Sequence, residues 1–218
     1  MFSRLNIYEK WMKSRNAAFI SLLEFNQKAK VVDLGCGNGE FTLRAKEKIG
    51  CDEIIGVDAD EEMLNEAKKK GIAVVNHDLN DALPFKDNSF DVVISNQVIE
   101  HLYYPVKFMR EVYRILKPKD YAVISTENLV SWDNLFALFF GYTPFSIEFD
   151  NGLYKIGNPL SPHEKETRIE SFPHVRVFAW KGLIELAKFV RFKIEKAVGS
   201  GHVLGRLGEI VNKKRLAS

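Results

Sequence analysis

Three glycines at alternate positions, Gly35, Gly37 and Gly39, follow the apolar run Val31-Val32-Asp33-Leu34 and lead directly into Glu40-Phe41 and a helix-forming stretch. A strand, a sharp bend and a helix start packed into so few residues leave little freedom in the fold. Glycine has no Cβ, so the backbone can bend tightly and let a ligand come within contact distance, while the first turn of the helix offers unpaired N–H groups. The segment reads as a cofactor loop. A dinucleotide loop requires G-x-G-x-x-G. Here the third glycine comes one residue early and Glu40 stands where that pattern needs glycine. A carboxylate at a helix start repels a pyrophosphate, whereas a ligand with an amine and a sulfonium cation suits it. Asp33, just before the loop, is placed to meet an amino group directly or through water.

Apolar runs and amphipathic stretches then alternate along the chain. Residues 7–25 read as a helix, 31–34 as a strand, 40–49 as a helix, 53–58 as a strand and 60–70 as a helix capped by Asp60 and closed by Gly71. Residues 72–76, 90–95 and 121–126 are further strands, with a helix at 104–116 that Lys117-Pro118 ends. A helix at 180–190 and a strand at 192–198 follow. Such alternation predicts an α/β fold with a doubly wound, mostly parallel sheet whose ligand lies beyond the carboxyl ends of the strands.

The segments at the strand ends resemble the class I S-adenosylmethionine-dependent methyltransferases, specifically the small-molecule methyltransferase type 11 or UbiE-like group. Their first motif is an acidic residue, a strand end and a G-x-G-x-G loop. Ile54-Ile55-Gly56-Val57-Asp58 is a second buried strand whose acid follows Gly35 by 23 residues, near the spacing at which a carboxylate grips a ribose diol. Asn76-His77-Asp78-Leu79 resembles the segment that meets the adenine edge. Phe90 to His101 resembles the fourth strand and the loop beside the methyl group. The resemblance covers residues 28–126 in order and spacing. It implies S-adenosyl-L-methionine as cofactor, held by Asp33, Gly35, Cys36, Gly37, Asp58, Ala59, Met63, Asp78, Leu79, Asn96 and Gln97.

One methyltransferase domain over residues 1–218 is expected: an N-terminal helix in 1–27, a cofactor half in 28–126, an insert or lid in 127–172 and a C-terminal part in 173–218. A chain of 218 residues can bury roughly 70% of the surface its unfolded form exposes. The insert contains the apolar stretch Trp132 to Tyr142, which suits a substrate lid and equally a packed element of the core. The family sheet ends in a seventh, antiparallel strand. Gly208 to Leu216 reads more easily as a short helix, so six strands are expected, with the open sheet edges covered or paired in a homodimer.

Charge and composition narrow the partners. Lys and Arg number 31 against 29 Asp and Glu, a net charge of +2 that points to no nucleic acid. Ser95-Asn96-Gln97-Val98 also replaces the Asn/Asp-Pro-Pro-aromatic motif of enzymes resembling one another in methylating nucleobase or glutamine nitrogens. No stretch approaches the roughly 20 apolar residues of a membrane span. Cys36 and Cys51 read as reduced thiols, and the expected compartment is the cytoplasm. The five histidines and two cysteines show no metal-ligand spacing, so no metal is expected.

Methyl transfer from a sulfonium is in-line displacement, which the protein assists mostly by orientation. A hydroxyl acceptor usually needs a base, and His101, on the loop after the fourth strand, is the candidate. The bland alternative is that Glu100 and His101 merely open a helix and line the pocket. His163 reads as a solvated loop residue and His174 as a structural or pocket-wall residue. Three functions compete: a methyltransferase on a small-molecule, sugar or lipid-like acceptor; a catalytically silent S-adenosylmethionine-binding regulatory protein of the same fold; and a nicotinamide-dependent oxidoreductase, which the loop spacing disfavours.

Overall fold

Short apolar runs that are buried on both faces must be covered on both faces, and that requirement organises this chain. The computed structural model describes residues 4–147, 157–159, 174–199 and 209–214. Among them the strands are β1 (Val31–Leu34), β2 (Ile54–Asp58), β3 (Ala73–Asn76), β4 (Phe90–Asn96), β5 (Leu116–Ser125), β6 (Phe192–Val198) and β7 (Glu209–Lys214). The helices are α1 (Arg4–Ser21), α2 (Glu40–Ile49), α3 (Glu61–Lys69), α4 (Pro105–Ile115), α5 (Trp132–Phe139) and α6 (Trp180–Phe189). The strands form one sheet in the order β3-β2-β1-β4-β5-β7-β6. Pairings from β3 to β5 are parallel, and β7 runs antiparallel to both neighbours.

Alternate side chains of each strand feed two separate cores. Val32, Leu34 and Val93 face Phe108, Met109 and Val112 of α4 and Leu183 and Ala187 of α6. Val31, Ile54, Val92 and Ile94 face Phe19 near the end of α1 and Ala45 and Ile49 of α2. Fully burying a side chain of this size contributes about 1.5–3 kcal/mol, so these two layers carry the sheet. Strand order reverses direction at β1, where the chain moves from β2 and β3 on one side to β4 on the other. That reversal opens a crevice at the carboxyl ends of β1 and β4.

Helix boundaries follow local chemistry. Asp60 accepts from the N–H groups of Glu62 and Met63 at 2.9 and 3.1 Å and caps α3 as expected. The first helix stops at Ser21 rather than reaching residue 25, because tight turns bury Leu22 and Leu23 against the second core and leave Phe25 exposed. Strand β5 starts at Leu116, ahead of the expected 121. Its register with β4 jumps from Phe90–Leu116 to Val92–Tyr121, and Lys119 takes a φ of 75° to absorb the extra residues.

The expected strand count needs correction. Glu209–Lys214 is a strand, not a helix, and it lies between β5 and β6, so the sheet has seven strands among the described residues. Six residues with one Ile-Val pair give too little periodicity to choose between the two. The choice is tertiary, since β5 and β6 would otherwise present unpaired backbone groups toward each other. The open edge that pointed to a homodimer is therefore filled at that position.

Candidate functional site

Residues from three strand ends and from α1 converge on the crevice. Strand β1 ends in Leu34, and the backbone turns at Gly35 with φ of 86°. The N–H groups of Gly35 and Cys36 both donate to the Val57 carbonyl, at 2.7 and 3.0 Å, which ties the bend to β2. A Cβ at Gly35 would lie 2.2 Å from Val98 Cγ2, so only glycine fits between the loop and the segment after β4. Gly37 differs: its φ is 50°, but a Cβ there would meet nothing within 4 Å. The loop thus leaves open space on the side of Gly37.

Asp58, at the end of β2, holds this loop. Its Oδ2 accepts from the Gly37 N–H at 2.8 Å and its Oδ1 from the Asp60 N–H at 3.0 Å. Each carboxylate oxygen retains a lone pair for a further donor. Asp33 lies deeper, 1% exposed. Its Oδ2 accepts from the Thr42 hydroxyl of α2 at 2.6 Å, while its Oδ1 is buried without a partner. Burial, only partly offset by the Thr42 hydrogen bond and reinforced by the nearby Asp58 charge, pushes its carboxyl up to about 7. A buried carboxyl with one orphaned oxygen is costly, and a ligand cation would satisfy it. Burial, with Asp33 and Asp58 nearby, also drives the Cys36 thiol well upward, so it stays neutral.

The remaining expected positions are arranged around this pair. Ala59 is exposed and Met63 half-buried at the mouth of β2. Asp78 is exposed, its Oδ1 accepting from the Asn80 backbone and side chain at 2.8 and 3.0 Å, while the Leu79 side chain packs into the first core. Asn96 and Gln97 close β4 on the far side of the crevice. Asn96 accepts from the Ser125 hydroxyl at 2.7 Å and donates to Asn16 at 3.2 Å. Gln97, at φ of 60°, accepts from Arg15 at 2.9 Å. Arg15 also pairs with Glu127 at 2.9 Å, so α1 is fastened across the ends of β4 and β5.

His101 sits in a 3-10 turn, Ile99–His101, directly after this edge. The fold brings His174 beside it, with ring centroids 4.9 Å apart. Immediately before His101 in sequence, but unlike it fully buried, is Glu100, 1% exposed. Its Oε2 accepts from the Thr126 hydroxyl at 2.9 Å and its Oε1 is buried without a partner. Desolvation pushes this carboxyl up to about 7 against the opposing pull of backbone, Thr126 and His174. The His174 segment is pinned by Val175 and Arg176, whose N–H groups both donate to the Glu100 carbonyl at 2.9 Å. His163 lies outside the described residues.

Comparison with known proteins shows what this chain is similar to. Residues 32–124 match the methyltransferase domain family. Over residues 32–124, about two fifths of its length, the chain resembles the class I S-adenosylmethionine-dependent methyltransferases. Demethylmenaquinone methyltransferase of Listeria monocytogenes is 30% identical over 149 residues, 62% of this chain and 60% of the relative. An uncharacterized methyltransferase of Schizosaccharomyces pombe is 29% identical over 133 residues, 56% of this chain and 48% of the relative. The match therefore spans about half to three fifths of these curated relatives. A solved S-adenosylmethionine-dependent methyltransferase of Thermotoga maritima superposes with a TM-score of 0.67 over 97% of this chain and 96% of its own, at 22% identity. That likeness concerns the fold.

Within this fold, the loop segments legible in sequence sit where the crevice opens. Missed in sequence were Arg15, Asn16 and Thr42, whose contacts with Gln97, Asn96 and Asp33 join helices to strand ends and leave no local motif. Glu100 and His174 were also missed as neighbours of one another. A buried glutamate between Ile99 and His101 is the only linear hint, and the long interval to His174 hides the rest.

Proposed function

We propose that this chain transfers the methyl group of S-adenosylmethionine to a small-molecule or lipid-like acceptor in the cytoplasm. The observation that carries the reading is the loop at Gly37, open to a ligand, tied to Asp58 and backed by the unsatisfied oxygen of Asp33. In this reading Asp33 meets the amino group of the methionine arm, Asp58 holds the ribose, and Asp78 with the Leu79 backbone meets adenine. Gly35, Cys36, Ala59, Met63, Asn96 and Gln97 line the rest. The methyl carbon then faces the turn that carries His101. An acceptor held about 3–3.5 Å from that carbon needs little else, because the leaving sulfur is already cationic. For a hydroxyl acceptor, His101 takes the proton.

The acceptor is apolar in part. Helix α5, in the insert after β5, leaves Phe136, Leu138 and Phe139 more than half exposed. The named activity of the Listeria relative, on demethylmenaquinone, is compatible with such a greasy surface. The insert 127–172 is read as the lid over that acceptor through its described part, which holds α5; residues 148–156 and 160–172 lie outside the described residues. Among the described residues no helix is long and apolar enough to cross a membrane. The absence of a global basic excess and the Ser95-Asn96-Gln97-Val98 stretch weigh against nucleic acid. Release of S-adenosylhomocysteine in the presence of a panel of phenols, quinols, amines and sugars tests the proposal. Turnover with one class supports it. Tight cofactor binding with no turnover on any acceptor points instead to the silent binding protein, and failure to bind the cofactor at all removes both.

A further inference from the structure

We infer that Glu100, His101 and His174 form a site for one divalent first-row transition-metal ion, placed where the methyl acceptor is expected. One potential ligand atom from each residue lies within 4.8 Å of those of the other two. Ligands bound at about 2.1 Å in tetrahedral geometry stand about 3.4 Å apart, so small side-chain rotations close the set. Two imidazoles and one carboxylate, with positions left for water or substrate, suit zinc, manganese or ferrous iron better than calcium or magnesium.

Two independent features point to a ligand. The first is the orphaned Glu100 Oε1, on a side chain 1% exposed whose other oxygen is already engaged by Thr126. The second is the tautomer of His174. Its Nδ1 lies 2.9 Å from the Ser146 carbonyl oxygen, which can only accept, so Nδ1 carries a proton and, in the neutral ring that a metal binds, Nε2 presents the lone pair. Outer partners of this kind, a backbone carbonyl on one ligand and a hydroxyl on another, are what orients metal-binding residues. Ser146 is itself held by Asn134 of α5 at 2.7 Å, so the insert reaches the cluster through a continuous hydrogen-bonded path.

The role of the ion rests on the proposed methyl transfer; its binding does not. With an acceptor hydroxyl in an open position, the ion lowers the hydroxyl pKa and the proton leaves to solvent. The oxygen then forms the new bond to the methyl carbon as the carbon–sulfur bond breaks and its electron pair goes to sulfur. With the ion bound, His101 is a ligand and no longer the proton acceptor; it takes the proton itself only in the metal-free site.

Metal-free protein titrated with Co2+ and followed by visible absorption tests the site. Saturation at one equivalent is expected, with His174→Ala and Glu100→Gln each weakening binding at least tenfold. Thr126→Val should weaken it while keeping one-to-one binding. Far-UV circular dichroism checks that each variant is folded, and half-buried His174 gives the comparison least exposed to misfolding. No saturable Co2+ binding, or His174→Ala binding as tightly as the parent, overturns the inference. Calorimetry with S-adenosylhomocysteine is read separately. Loss of that binding with Co2+ binding intact sinks the methyl-donor reading alone, and the converse sinks the metal site alone.

Discussion

Replacing Asp33 by Asn should make the cofactor-free protein progressively more stable, relative to the parent, as pH rises. The carboxyl is fully buried, and its pKa is raised from an ordinary 3.8 to about 7. Between those values the folded state binds a proton that the unfolded state has lost, so stability falls with increasing pH. About three units at about 1.4 kcal/mol each set a ceiling of about 4 kcal/mol, none of it present below pH 4 and all of it above pH 7. Asparagine keeps the volume and the acceptor for the Thr42 hydroxyl. Its amide N–H2 is left without an acceptor where Oδ1 was orphaned, but that cost of about 1–3 kcal/mol does not vary with pH. The diagnostic quantity is therefore the difference between the two pH–stability curves, from urea melts at pH 4.5, 6, 7 and 8, in which all other titrating groups cancel. Parallel curves would refute the reasoning. The same carboxyl predicts that S-adenosylhomocysteine affinity falls by up to tenfold per unit below pH 7, since the ligand ammonium needs the ionised form. Asp33→Asn should abolish that slope.

Further outcomes follow from the same geometry. Asp58→Ala should weaken S-adenosylhomocysteine binding by tenfold or more in calorimetry and loosen the loop, because both the Gly37 and Asp60 N–H groups lose their acceptor. Gly35→Ala should destabilise by about 2–5 kcal/mol in denaturant melts, combining left-handed strain with the Val98 clash. Adding Val98→Ala should recover only the clash component, and full recovery would show that φ is not strained. Asn134→Ala should cost about 1–3 kcal/mol and raise protease cleavage around α5, as the Asn128 carbonyl and Ser146 hydroxyl lose their shared donor.

Much of the cofactor end was legible in the linear order. A strand, a glycine bend and a helix start are neighbours in sequence, and their chemistry is local: φ above zero at Gly35 and Gly37, and a cap at Asp60. Apolar runs at 54–58 and 90–96 likewise announce strands covered on both faces, and the acid ending β2 stands out because burial would penalise it. The doubly wound sheet follows from that alternation.

Other features required the fold. Whether Glu209–Lys214 pairs as a strand depends on two distant edges awaiting a partner, and no six-residue pattern encodes that vacancy. Arg15 finds Gln97 and Glu127, and Glu100 finds His174, only because the crossings of the sheet bring their backbones together. Local sequence sets which backbone angles and which faces are affordable. Contacts between residues far apart are decided by which arrangement buries both cores at once, and that is a property of the assembled sheet.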